Sequence, residues 1–337
     1  METKYLTEQK LQQAAQILKR GGLLGIPTET VYGLGANGLD PQAVANIFKA
    51  KGRPQDNPLI LHIPDVSWLE RYCKNIPASA YTLAHAFWPG PLTMILERKA
   101  MVPDVVTAGL DTVGMRCPAH TLCRKLIAAA DVPVAAPSGN LSGRPSPTTA
   151  QHMLEDMDGK IDAILEGGSC NVGLESTIVD LTCDPPQLLR PGGVTLEQLR
   201  EVLGQVEIDA AVLRKMKEGE KPRAPGMQYR HYAPKAPVTV VSGDPEKSAA
   251  YIQDHLTETS GVICFHEFLD RFADHVVHDL GHMDDKAEQA RQVFDALRTF
   301  DGTGVTEIWA QCPDSSGLGL AVENRLKKAA GFHVVET

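Results

Sequence analysis

Short apolar runs recur through the first two hundred residues, at 23–26, 59–63, 92–96, 113–116, 132–136, 163–165, 177–181 and 187–189. Helical patterns separate several of them, at 9–19, 40–52, 78–86 and 119–130. Gly21-Gly22 stops the first of these helices. Asp40-Pro41 opens the second as N-cap and first-turn proline, and Gly52 closes it. Strands this short and apolar, alternating with helices, dictate an α/β domain built on a twisted sheet. The segment 237–337 repeats the style on a smaller scale. Strands are expected at 238–241, 261–265 and 306–310, and helices at 247–256, 285–299 and 320–330. With 337 residues the chain is long enough for two domains.

Charge divides the chain in the same way. Residues 1–207 carry a net −4, residues 208–236 a net +4 and residues 237–337 a net −9. The basic stretch around KPRAPGMQYRHYAPKAP is rich in proline and has no apolar periodicity, so it reads as the boundary. The expected organisation is a catalytic domain over 1–207, a basic linker or lid over 208–236 and a small acidic α/β domain over 237–337. The linker also holds Tyr229, Arg230, His231 and Tyr232, which is rich for an inert tether. An acidic surface repels phosphate backbones, which argues against a nucleic-acid platform and allows at most weak tRNA binding. No apolar run reaches the ~20 residues of a membrane span, and the first residues have no apolar signal core. No membrane partner and a cytoplasmic location are therefore expected. The seven cysteines are scattered and form no CxxC pair, so neither a disulfide framework nor a zinc ribbon is expected.

Gly33-Leu34-Gly35-Ala36-Asn37-Gly38 matches the dinucleotide fingerprint GxGxxG. Its context is wrong. Six residues, Pro27 to Tyr32, separate it from the preceding strand, the helix starts later at Asp40, and no acid ends a second strand about twenty residues on. An NAD-dependent oxidoreductase is thus a minor alternative, as is a pure RNA-binding protein.

The stronger signal is a set of loops next to strands or helices: 27–35, 49–59, 87–93, 137–148, 175–178 and 189–193. They are rich in Ser, Thr, Asn, Gly and Arg, the groups that cradle phosphates beyond strand ends. A Walker lysine, a nucleophile elbow and HExxH are absent from the sequence. These loops resemble the threonylcarbamoyl-AMP synthase family, the YrdC-like fold. The KxR of Lys51 and Arg53 and the SxN of Ser138 and Asn140 match its signature pair, and APGMQYRHYAP resembles the linker of its long, two-domain form.

The resemblance implies a YrdC-like twisted mixed sheet with an open concave cleft, followed by a smaller Rossmann-like C-terminal domain. It implies a nucleotidyltransferase that makes threonylcarbamoyl-adenylate and pyrophosphate from L-threonine, bicarbonate or CO2, and ATP. The product would pass to a separate tRNA threonylcarbamoyl transferase. Lys51 and Arg53 would act on the transferring phosphate. ATP would be bound by Arg53, Asn57, Thr112, Ser138, Asn140, Ser146, Arg190 and the linker residues Tyr229, His231 and Tyr232. Threonine would be bound by Thr30, His62, Arg116, Ala136 and Ser176, with Arg116 on a carboxylate. Mg2+ is expected with ATP; Glu29 and Asp56 are the only acids in the KxR and Thr30 loops, and no protein metal ligand is assigned. On position alone Lys51 and Arg53 read as cations at an exposed helix C-terminus, and His62 as a lone histidine in an apolar strand.

Overall fold

The computed structural model describes residues 2–214, 216, 219–227 and 231–337. It divides into two compact units. The first comprises Met1–Ser142, Pro147–Asn171 and Glu175–Gln228; the second comprises Gly143–Ser146, Val172–Leu174 and Tyr229–Thr337.

The first unit is built on a mixed sheet. Its strands are β1 (Lys4–Leu6), β2 (Leu24–Ile26), β3 (Gly33–Asn37), β4 (Ile60–His62), β5 (Leu92–Glu97), β6 (Thr112–Arg116), β7 (Val134–Ala135), β8 (Ala163–Leu165), β9 (Thr177–Asp180), β10 (Gln187–Arg190) and β11 (Glu207–Ile208). They run in the order β1-β8-β2-β3-β7-β4-β6-β5-β9-β10-β11. The central strands β4 and β9 are buried along their whole length, and β6 at every residue but Thr112. The helix Pro41–Lys51 forms as its sequence dictates. Asp40 accepts hydrogen bonds from the N–H groups of Gln42 and Ala43, Pro41 occupies the first turn, and Gly52 ends the helix in the left-handed conformation at φ +63.

The GxGxxG segment is not a phosphate loop. Its first five residues are β3, which pairs antiparallel with β2 through Ile26↔Gly33 and Leu24↔Gly35. A Cβ on Gly38 would stand 2.4 Å from the Leu61 side chain, so close packing explains this glycine. The expected boundary at 207 also moves. Ala211, Ala224 and Met227 join a buried cluster with Ile60, Ile95, Ile178 and Leu189. Apolar burial of these three side chains holds much of the basic stretch to the first unit rather than leaving it a free tether.

The second unit carries five parallel strands, β12 (Val238–Ser242), β13 (Ser260–Cys264), β14 (Val276–Asp279), β15 (Glu307–Gln311) and β16 (Val334–Glu336). Their order is β14-β13-β15-β12-β16. Helices Pro245–His255, Lys286–Thr299 and Gly319–Ala329 make the crossovers, in the Rossmann-like manner expected. Tyr232 is buried in this unit. Its ring lies 5.1 Å from that of Phe294 and 5.6 Å from the Arg325 guanidinium carbon. Arg298 donates to the Pro145 carbonyl at 2.7 Å, and Arg144 pairs with Asp301 at 3.0 Å. All seven cysteines are free thiols.

Candidate active site

Sheet register assembles the centre of the site. β4 and β6 are parallel neighbours with His62 opposite Arg116. β5 lies on the other side of β6 with Thr93 opposite Arg116. β9 follows, with Leu92 opposite Thr177, which brings Ser176 next to Thr93. The Thr93 and Ser176 hydroxyls are 2.8 Å apart. Arg190, at the end of β10, donates to the Ser176 carbonyl at 3.0 Å and to its hydroxyl at 3.2 Å. Residues far apart in sequence therefore form one row across four neighbouring strands, running on to β10.

The loop after β2 folds onto this row. Thr28 and Thr30 share a hydroxyl–hydroxyl hydrogen bond of 2.8 Å, and the Thr28 oxygen also accepts from the N–H of Thr30 and of Val31. The turn so fixed presents Glu29 to Arg116, with an ion-pair distance of 2.7 Å. Both side chains are almost wholly buried, at 6% and 5% exposure. Burial pushes the Glu29 carboxyl up, but the Arg116 charge and hydrogen bonds hold it below its ordinary value. It is a carboxylate at neutral pH. His62 is neutral, because burial and the neighbouring Arg116 cation push its ring down to about 3. Among the described residues, the second Glu29 oxygen, Arg116 Nε and His62 Nδ1 are buried without a hydrogen-bond partner. Leaving three such groups unmet is costly unless a ligand meets them.

A second group lies at the KxR and SxN segments. Lys51 is not an exposed cation: it is 3% exposed and its Nζ donates to the carbonyls of Ser138 and Asn140. The loop of the SxN segment closes over the helix end, with Ser142 N–H donating to the Lys51 carbonyl at 2.9 Å. Burial, and then the nearby Arg53, push the Lys51 ammonium well below its ordinary value. Arg53 reaches the carbonyls of Asn57 at 3.3 Å and Pro58 at 3.5 Å. Asn57 is 1% exposed, and neither end of its amide has a partner among the described residues.

The structure thus brings Thr30, His62, Arg116 and Ser176 together. Ala136 joins them through its N–H, which donates to the Ile60 carbonyl of β4 at 3.1 Å. Lys51, Arg53, Asn57, Ser138 and Asn140 belong to the second group. Thr112 opens β6 at the end opposite Arg116, about 13 Å along the strand. That is the end at which Asn57 and Pro58 lead into β4, since Ile60 pairs with Gly114. Arg190 reaches Ser176 of the first group and, through another guanidinium nitrogen, the Pro225 carbonyl at 3.3 Å. Ser146, His231 and Tyr232 belong to the second unit, and Tyr229 lies outside the described residues. Sequence reasoning missed Glu29 as the partner of Arg116, together with Thr28 and Thr93. Only the strand register and the turn reveal them.

The site is a set of buried polar groups at the edges of a twisted mixed sheet, in a protein with a second, Rossmann-like unit. Comparison with known proteins agrees. The family described as "Telomere recombination", Sua5/YciO/YrdC, matches residues 16–192. The family described as "Threonylcarbamoyl-AMP synthase, C-terminal domain" matches residues 194–331. A threonylcarbamoyl-AMP synthase of Pyrococcus abyssi is 49% identical over 337 residues, covering 98% of this chain and 97% of its own. One from Bacillus subtilis is 44% identical over 330 residues, covering 97% and 94%. The crystal structure of P. abyssi Sua5 complexed with L-threonine superposes with a TM-score of 0.90 at 46% identity, covering both chains completely. The chain belongs to the threonylcarbamoyl-AMP synthase family, in its long, two-domain form.

Proposed function

We propose that this chain converts L-threonine, bicarbonate or CO2, and ATP into threonylcarbamoyl-AMP and pyrophosphate. The observation that carries the reading is the buried Glu29–Arg116 pair beside neutral His62, with one unmet polar atom on each. An amino acid is a zwitterion. Its carboxylate suits Arg116 Nε–H and its amine suits the open oxygen of Glu29. The threonine hydroxyl is left for the Thr93–Ser176 hydroxyl pair or the His62 ring. The relative named as a complex with L-threonine supports this choice of amino acid.

The chemistry needs no protein nucleophile. The threonine ammonium first gives up one proton to water; the free amine nitrogen then bonds to the carbon of CO2 and a second proton leaves the nitrogen for water, giving a carbamate. A carbamate oxygen then bonds to the α-phosphorus of ATP, the bond from that phosphorus to the bridging oxygen breaks, and pyrophosphate leaves. Lys51 and Arg53 supply positive charge for the phosphates, and Asn57, Ser138 and Asn140 line the nucleotide. Mg2+ would enter with ATP, held by its phosphates and water rather than by protein side chains. Among the described residues no set of three His, Cys, Asp or Glu side chains is grouped to hold a metal. No helix among the described residues is long and apolar enough to cross a membrane. The reading places the protein in the cytoplasm, where a separate transferase carries the product to tRNA.

Incubation with ATP, L-threonine and labelled bicarbonate tests it. The expected result is a labelled, labile adenylate and pyrophosphate in equal amounts. L-valine, a near-isostere lacking the hydroxyl, should turn over far more slowly. Pyrophosphate release that ignores the omission of threonine would overturn the assignment.

A further inference from the structure

The first unit also holds a cavity that the proposed reaction does not use. It has a volume of about 390 Å3 and opens between the segment after β4, the helix Ala78–Phe87 and the helix Thr121–Ala130. Its walls are Pro64, Val66, Tyr81, Trp88 and Pro89, with Arg124 among them. The size falls within the range of small-ligand sites. Val66 and Tyr81 are 40% and 39% exposed, two of the five large hydrophobic side chains left exposed among the described residues. Both line this opening, so part of its rim is exposed apolar surface. Trp88 is fixed there by the hydrogen bond from its indole N–H to the Leu92 carbonyl at 2.7 Å.

Arg124 is the unexplained group. Among the described residues its guanidinium has no ion pair and no hydrogen bond, and its Nε is buried without a partner. It also stands at the end of the first turn of the helix Thr121–Ala130. A cation there faces the positive end of the helix dipole, and the N-cap residue His120 supplies no side-chain cap. The acid that lines the cavity, Asp65, is engaged in capping: its Oδ1 accepts from Ser67 N–H at 2.8 Å. Arg71, the nearby arginine of the preceding surface, is by contrast paired with Asp131 and laid over Trp68 at 4.0 Å. An unpaired arginine at a disfavoured helix position, in the wall of an aromatic cavity, would be stabilised by an anion carried on an apolar body.

We propose that this cavity binds a small organic anion with a flat apolar body, its acidic group on Arg124 and its body against Trp88 and Tyr81. Cys117 also lines the site, but burial pushes its thiol up to about 12, so it contributes packing rather than reactivity.

Calorimetric titration of the full chain with phenylacetate, its neutral analogue phenylacetamide, and phenyl phosphate tests the proposal. Phenylacetate is expected to bind about 10- to 100-fold more tightly than phenylacetamide, the worth of a charge-assisted hydrogen bond. Tighter binding of phenyl phosphate than of phenylacetate would assign the acidic group as a phosphoryl rather than a carboxyl. Arg124→Leu should erase the preference for the anion, and Val66→Glu, at an exposed rim position, should weaken anion binding without touching the core. ATP and L-threonine binding should be unchanged in both variants. Equal affinity for phenylacetate and its amide, unchanged binding in Arg124→Leu, or no binding of either anion up to about 10 mM would each overturn the proposal.

Discussion

Both units gather polar residues beyond the ends of their strands, but they treat them in opposite ways. In the first unit His62, Arg116, Glu29 and Ser176 are each less than a tenth exposed, and several of their polar atoms are unmet. In the second, the ends of β13 and β14 carry two further pairs. His266 meets Asp279 at 2.7 Å with side-chain exposures of 49% and 40%, and His282 meets Glu267 at 3.0 Å with 53% and 33%. Exposed pairs are screened by water and contribute little. Buried ones are costly and persist where something is bound or transformed. The same strand-end position is therefore a site in one sheet and a solvated rim in the other.

The largest effect expected from this contrast is on stability. Arg116→Leu strands the Glu29 carboxylate in the interior, which should cost about 3–5 kcal/mol in denaturant unfolding, while Glu29→Gln with Arg116→Met together should cost much less. Equal losses would mean that the pair is not the closed unit described. Next comes Lys51→Met, which on the proposed reading removes a cation from the transferring phosphate. Pyrophosphate release should fall by about 100- to 1000-fold, with substrate-free stability lowered by about 1–3 kcal/mol because two carbonyls lose their donor. A stable, fully active variant would restore the exposed-helix-end view of this lysine.

His62 sharpens the comparison through pH. Its folded value, about 3, lies below the ordinary 6.5, so between these values the unfolded chain binds the proton and the folded chain does not. Stability is full above about pH 6.5 and declines as pH falls toward 3. The depressed Glu29 carboxyl adds loss in the same direction, at lower pH. Unfolding midpoints measured from pH 7 to 4 should therefore slope more steeply in the wild type than in His62→Gln. Matching slopes would show that the ring is hydrated. The smallest effect belongs to the second unit: Asp279→Asn should shift stability by no more than about 0.5 kcal/mol and leave pyrophosphate release unchanged.

Much of the frame was legible in the sequence because most strands are apolar runs and several helices carry their own stops and caps, as Asp40, Pro41 and Gly52 do. β3 was not, since Gly33-Leu34-Gly35-Ala36-Asn37 has little strand propensity by itself and becomes a strand only through pairing with β2. The family resemblance supplied the candidate residues, but not how they are wired together. Glu29 and Arg116 lie 87 residues apart and meet only once the Thr28 turn folds onto β6. Lys51 read as an exposed cation because helix C-termini favour cations. Its burial depends on the Ser138–Ser142 backbone closing over it, which no local pattern announces.

The account stands most directly on where threonine is held, and equilibrium binding of L-threonine to the wild type and to Arg116→Lys measures it. Lysine keeps a positive charge beside Glu29 but loses the planar fork of donors. Threonine affinity should fall by about 10- to 100-fold while the near-ultraviolet circular dichroism stays that of the wild type. An unchanged dissociation constant in a variant with that native spectrum would place the amino acid elsewhere and contradict the account.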